Sequence, residues 1–169
     1  MSRRTALLVI LAVAAAAGGF TSAEAFPGAR RQYYSSWSYY PSRSYYYTRY
    51  YYKPTPTYPT YCYHYCVCYP SQPRYVYYYN PHTRQYWGRF DCEGKEGAQY
   101  SLLKPEHRKE NLQDIKEEHF PKPGPMPVIP EATDGTKSDG AAIDPITVLP
   151  TAEAQPDDAP AGNNAPAAK

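Results

Sequence analysis

Four side chains that bind metals or form disulfides stand at every second position of "YCYHYCVCY", residues 61–69: Cys62, His64, Cys66 and Cys68. Thiolate and imidazole groups suit zinc or copper. Thiols of an exported chain also pair as disulfides. On an extended strand alternate side chains share a face. The four would then line one face, with Tyr61, Tyr63, Tyr65 and Val67 on the other. At about 3.3 Å per residue the row runs for about 20 Å, and a Zn–S bond is only about 2.3 Å long. At most two neighbours reach one ion, so a metal site on Cys62, His64, Cys66 and Cys68 needs donors from Cys92, His82 or a second chain. Paired CxxC motifs are absent.

The disulfide reading has its own limit. Cys62 and Cys66 would lie about 13 Å apart on a strand, whereas bridged Cα atoms sit about 4.4–6.8 Å apart. Extrapolating a hairpin register from the residues downstream places Cys68 opposite Lys95, a few residues from Cys92. A Cys68–Cys92 bridge would close a loop of about 24 residues and contribute about 3 kcal/mol. The sequence therefore predicts oxidised Cys92 with Cys68 as its partner, and Cys62–Cys66 only if a turn joins them. No GxSxG, HExxH, P-loop or CxxCH motif occurs. Neither catalysis nor a cofactor is expected.

The compartment follows from the N-terminus, "MSRRTALLVILAVAAAAGGFTSAEAF". Arg3 and Arg4 precede an apolar stretch too short to span a bilayer comfortably, and Ala23-Glu24-Ala25 has the small-x-small form of a cleavage site. Residues 1–25 read as an export signal cut near Ala25. The mature chain is expected to be periplasmic, at the cell surface or extracellular, with no retained membrane span.

Composition divides the rest. Residues 26–91 hold eight Lys or Arg and one acid, while residues 121–169 hold three bases and seven acids. All 21 Tyr fall between Tyr33 and Tyr100. Residues 26–60 are Tyr/Arg/Ser/Pro low complexity without Leu, Ile or Val, which predicts disorder. Residues 61–103 form the expected Cys/Tyr-rich β module, a two- or three-stranded antiparallel meander turned by "NPHT" at 80–83. In that register Tyr77 faces Tyr86 and Val76 faces Trp87. Tyr75, Tyr77, Tyr79, Tyr86 and Phe90 share one side, and Val76, Tyr78 and Trp87 the other. Residues 104–120 read as one short charged helix, started by Pro105 and stopped by Pro121. Residues 121–169 read as a Pro/Ala-rich acidic disordered tail.

Two resemblances bear on function. "YVYYYNPHTRQYWGRFD", with "YSLL" and the charged segment after it, resembles exported tyrosine-rich proteins of unknown function found in planctomycete bacteria. That resemblance implies an envelope or extracellular setting. "YYYNPHTRQYW", residues 77–87, is similar to the hairpin of a WW domain, which implies a groove for Pro-rich peptides at Tyr78 and Trp87. Trp87 stands one residue early relative to Thr83 for that pattern.

The combined reading is an exported structural or interaction protein. It would associate with other copies, or with anionic envelope polymers, through an aromatic surface including Tyr77, Tyr78, Tyr86 and Trp87. The alternative is a secreted metal-binding or redox protein using Cys62, His64, Cys66 and Cys68. Arg30, Arg31, Arg43, Arg49 and Lys53 among Tyr would also suit a single-stranded nucleic acid. Export and the lack of an RNA-binding signature direct the reading away from nucleic acid.

Overall fold

The computed structural model describes residues 30–139. The expected export signal and residues 140–169 of the expected tail lie outside that range. Seven antiparallel strands form one sheet: β1 (Gln32–Tyr34), β2 (Ser38–Tyr40), β3 (Tyr45–Tyr52), β4 (Cys62–Cys68), β5 (Tyr75–Asn80), β6 (Gln85–Asp91) and β7 (Tyr100–Leu102). β1 and β2 both pair with the outer side of β3, and the remaining strands follow in sequence order. This corrects the expectation of a mostly disordered chain with a two- or three-stranded meander and one short charged helix.

The low-complexity stretch folds because its tyrosines alternate. Tyr45 and Tyr47 enter one core cluster and Tyr50 and Tyr52 the other. A tyrosine buries about 150–250 Å², so phenols replace the missing aliphatic residues. β3 pairs with β4 at seven successive positions, from Tyr46 opposite Cys68 to Tyr52 opposite Cys62. The expected boundary between residues 60 and 61 thus falls inside a hairpin.

The turn at "NPHT" forms, one residue later than its predicted register. Asn80 pairs with Gln85, and its Oδ1 accepts from the backbone N–H of His82 and Thr83 at 2.8 and 3.2 Å. Tyr79 pairs with Tyr86 and Tyr78 with Gly88, which leaves Trp87 as the extra residue of a bulge. Tyr75, Tyr77, Tyr79 and Tyr86 keep their common face. Phe90 does not: beyond the bulge the alternation flips, and Phe90 packs with Val76 and Tyr78 on the other side. The small residue in the bulge is required by β7. A Cβ on Gly88 would overlap the Ser101 carbonyl oxygen and lie 3.0 Å from the Tyr100 hydroxyl.

Both faces of the sheet are covered by irregular chain. Over the first face, residues 103–120 place Leu103, Leu112, Ile115 and Phe120 against Tyr77, Tyr79 and Tyr86. This segment is three 3-10 turns, Pro105–His107, Leu112–Asp114 and Glu117–His119, joined by extended residues. A continuous helix would stack Glu106, Glu110, Asp114 and Glu118 four apart, where like charges repel. The extended links instead let the Lys109 carbonyl accept from Tyr86 N–H at 2.9 Å. Arg89 clamps the segment. It is 8% exposed, its guanidinium lies 4.0 Å from the Tyr75 ring and 4.1 Å from Phe120, and both its terminal nitrogens bond Glu117.

The second face is covered by residues 121–139, expected to be disordered. Gly124 bridges Tyr100, and Ile129 is fully buried with Met126 and Ala132 beside it. Arg31 ties this segment to the β3 end by bonding Asp134, Thr136 Oγ1 at 2.7 Å and the Lys53 carbonyl at 2.9 Å. Pro-rich chain without periodic apolar residues can dock in this way because the sheet supplies the hydrogen-bond partners that it lacks.

Replacing Gly88 by Ala is expected to destabilise the protein by about 2 kcal/mol or more, since a backbone oxygen must move. Chemical denaturation of the two chains measures this. An unchanged midpoint would mean that β6 and β7 are not so closely apposed.

Candidate binding surface

β4 presents the Cys/His row on one face, as its alternation predicts. Cys62, Cys66 and Cys68 pack on the second cluster, while Tyr63, Tyr65 and Val67 belong to the first. Sheet pairing keeps the strand straight, so consecutive donors stay about 6–7 Å apart. Among the described residues no three His, Cys, Asp or Glu side chains converge as a metal site would need. His64 is also engaged. Its Nε2 lies 3.2 Å from the Tyr52 hydroxyl, and its ring meets Trp87 edge-on at 4.8 Å. Burial first, then the nearby His82 and Arg108, hold the imidazole down at about 3. It is therefore neutral at ordinary pH, inside an aromatic box that Arg108 closes by lying 4.2 Å from the Trp87 ring.

None of the four cysteines is bridged among the described residues. Cys68 opposes Val76 and Val76 opposes Phe90, two residues before Cys92, whose N–H donates to the Arg74 carbonyl at 2.8 Å. Cys68 and Cys92 thus share the second face with β5 between them. Lys95 lies past the end of β6 and does not face Cys68. Burial, followed by the closeness of Cys92, pushes the Cys68 thiol up to about 11. Burial alone drives Cys66 higher still.

The aromatic residues singled out for a surface lie mostly inside. Tyr77 and Tyr86 have no exposed area and Tyr78 has 3%. Trp87 is half-buried under Arg108. A row of partly accessible phenols lies elsewhere, on the first face beyond the reach of residues 103–120. Tyr33 stacks on Tyr51 at 4.8 Å with the rings 16° apart. Tyr61 meets Tyr33 edge-on at 5.0 Å, and Tyr63 lies 5.7 Å from Tyr51. All four are half-buried. Lys53 Nζ sits 4.8 Å from the Tyr61 ring, and the Arg49 guanidinium 5.8 Å from Tyr63 and 5.4 Å from Tyr65. Sequence reasoning missed this row because it treated residues 26–60 as disordered. The signal was Tyr33, Tyr51 and Tyr63 at positions of one parity in their strands. Adjacent strands bring that parity together: Tyr33 opposes Tyr51, and Tyr51 opposes Tyr63.

Compared with protein families, curated proteins and solved structures, the chain finds no match. The surface is therefore interpreted from its own chemistry.

The buried imidazole gives a pH test. In the unfolded chain His64 takes a proton near pH 6.5, whereas the folded chain resists protonation down to about 3. Its contribution to stability is complete above pH 6.5 and is lost as pH falls through that window, by up to about 5 kcal/mol. His64→Gln should flatten the stability profile between pH 6.5 and 4 relative to the native chain. Parallel profiles would show that His64 is not held neutral.

Proposed function

We propose that this protein is exported and acts, without catalysis, as an interaction protein of the cell envelope or extracellular matrix, binding anionic polymers through Tyr33, Tyr51, Tyr61 and Tyr63. The observation that carries the reading is the row of half-buried phenols flanked by Lys53 and Arg49. Flat ring faces receive the C–H faces of sugar rings, while the two cations pair with carboxylate or phosphate groups along the polymer. Preorganisation helps, because the rings are already packed in a sheet and lose little rotamer freedom on binding. Export is supported by the N-terminal signal pattern: cleavage near Ala25 leaves every described strand in the mature chain.

Self-association is the second reading. Tyr51 and Tyr61 are open to another copy, but two such rows meeting face to face would oppose Arg49 and Lys53 to their own copies. Pairing through the sheet edge is hindered too. β1 and β2 have three residues each. At the break between them, the Arg49 N–H donates to the Ser35 side chain at 3.0 Å, where a ladder would use backbone. Short, broken edges of this kind resist edge-to-edge association.

The test uses the mature chain, alginate as a polyuronate probe and dextran as its neutral counterpart. Alginate should bind, dextran should bind much more weakly, and raising salt from about 0.05 to 0.5 M should release alginate. Tyr33→Ser with Tyr51→Ser should weaken alginate binding about fivefold or more, since aromatic faces contribute about 0.5–1.5 kcal/mol each. Equal binding of both polymers, or an unaffected double variant, would sink the reading. Dimerisation that the same variant abolishes would favour self-association.

A further inference from the structure

The outer side of β3 is held by little backbone. β1 and β2 pair with it over three residues each, and the strands are interrupted between them at residues 35–37. In each of these short strands one tyrosine stands directly opposite a tyrosine of β3. Tyr33 opposes Tyr51, with ring centroids 4.8 Å apart and planes 16° apart. Tyr39 opposes Tyr46 at 4.6 Å and 38°. All four rings are half-buried, so each reaches solvent.

Other tyrosine pairs lack one of these features. Tyr45–Tyr69 and Tyr77–Tyr86 meet edge-on, at 70° and 85°, and are buried. Tyr51 and Tyr63 are accessible but lie 5.7 Å and 47° apart. Tyr34 and Tyr50 are tilted by 33° at 5.0 Å, but their hydroxyls are engaged. Tyr34 donates to the Asp139 carbonyl, and Tyr50, 1% exposed, donates to Gln32 Oε1 at 2.6 Å. Burial makes both hold their protons more firmly than a free phenol does.

Geometry of this kind decides how phenols oxidise. Two phenoxyl radicals join through the p orbitals of their ortho carbons, which stand perpendicular to the rings. Rings that face each other meet that requirement, and edge-on rings do not. Sheet pairing holds both partners in place, so the coupling becomes a step within one chain.

We propose that Tyr33–Tyr51 and Tyr39–Tyr46 are sites of oxidative coupling, at which a haem peroxidase using hydrogen peroxide ties β1 and β2 covalently to β3. Each phenol loses one electron and its O–H proton. One bond forms between the two ortho carbons. The hydrogen on each of those carbons then passes through water, as a proton, to the oxygen of its own ring. Both rings are phenols again, and one hydrogen peroxide has become two waters. The links close short loops, so they restrain the unfolded chain as a disulfide does, in a fold whose described cysteines are all unbridged. Coupling needs only the ring pairs and the oxidant, and is independent of polymer binding.

Treatment of the mature chain with a haem peroxidase and hydrogen peroxide, at low protein concentration, tests this. Digestion and mass spectrometry should find peptides that join Tyr33 to Tyr51 and Tyr39 to Tyr46. The treated chain should melt about 5 °C higher or more. Tyr33→Phe with Tyr39→Phe keeps the ring packing, which circular dichroism checks, and should lower dityrosine fluorescence about tenfold. Unchanged fluorescence in that variant, or linked peptides that mainly join other tyrosines, would overturn the proposal. So would links whose yield rises with protein concentration, because they would join separate copies. A native chain that forms no dityrosine under conditions that couple free tyrosine would overturn it as well.

Discussion

A single sheet that is apolar on both faces has to be covered twice. A sandwich solves this by packing two sheets together. Here the described residues form seven strands, and irregular chain supplies both covers. Each cover depends on one arginine. Arg89 holds residues 103–120 through Tyr75, Phe120 and Glu117, and Arg31 holds residues 121–139 through Asp134 and Thr136. Guanidinium suits both places because it stacks on rings and bonds in the plane at the same time. Glu117 is largely exposed, so its charge contributes modestly and the ring packing around Arg89 contributes more.

The interior is built from phenols. Eleven of the 21 Tyr are buried, against six Val, Leu or Ile. A phenol packs well but carries a hydroxyl that needs a partner. Tyr69 and Tyr86 bond each other at 3.0 Å, Tyr77 donates to Gln72 at 2.8 Å, and Tyr52 meets His64. Burial raises Tyr78 and Tyr86 far above the usual phenol range. Their ionised forms are thereby kept out of the core. The result is a small protein whose rigidity comes from many ring contacts at fixed angles, each set by strand register.

The described covers leave part of each face of the sheet open. Residues 103–120 reach the β5–β6 half of the first face and leave Tyr33, Tyr51, Tyr61 and Tyr63 partly open. Residues 121–139 leave the opposite end of the second face. One opening is flanked by cations and suits a polar, charged partner. The other is apolar and carries the Cys68 and Cys92 thiols. Among the described residues the two covers thus leave two surfaces with different chemistry.

Local features were legible in the sequence. Alternation placed Cys62, His64, Cys66 and Cys68 on one face of β4, and Asn80 with Pro81 marked the turn. Both depend only on neighbours along the chain. The face of Phe90 was not legible, because a bulge at Trp87 inverts the alternation and its cause lies across the sheet, at the Gly88–Ser101 contact. The strands within residues 30–60 were hidden for a related reason. Without aliphatic residues they show no core of their own, and their phenols become a core only when β4 pairs along seven positions of β3. Residues 104–120 carry the start and stop signals of one helix, but the Tyr77–Tyr86 face selected short turns that Arg89 holds in place. The sequence by itself determined which side chains alternate and where the chain must turn, since sterics act over a few residues. Tertiary structure decided which Tyr are core and which remain as surface, since burial depends on strands and covers that are distant in sequence.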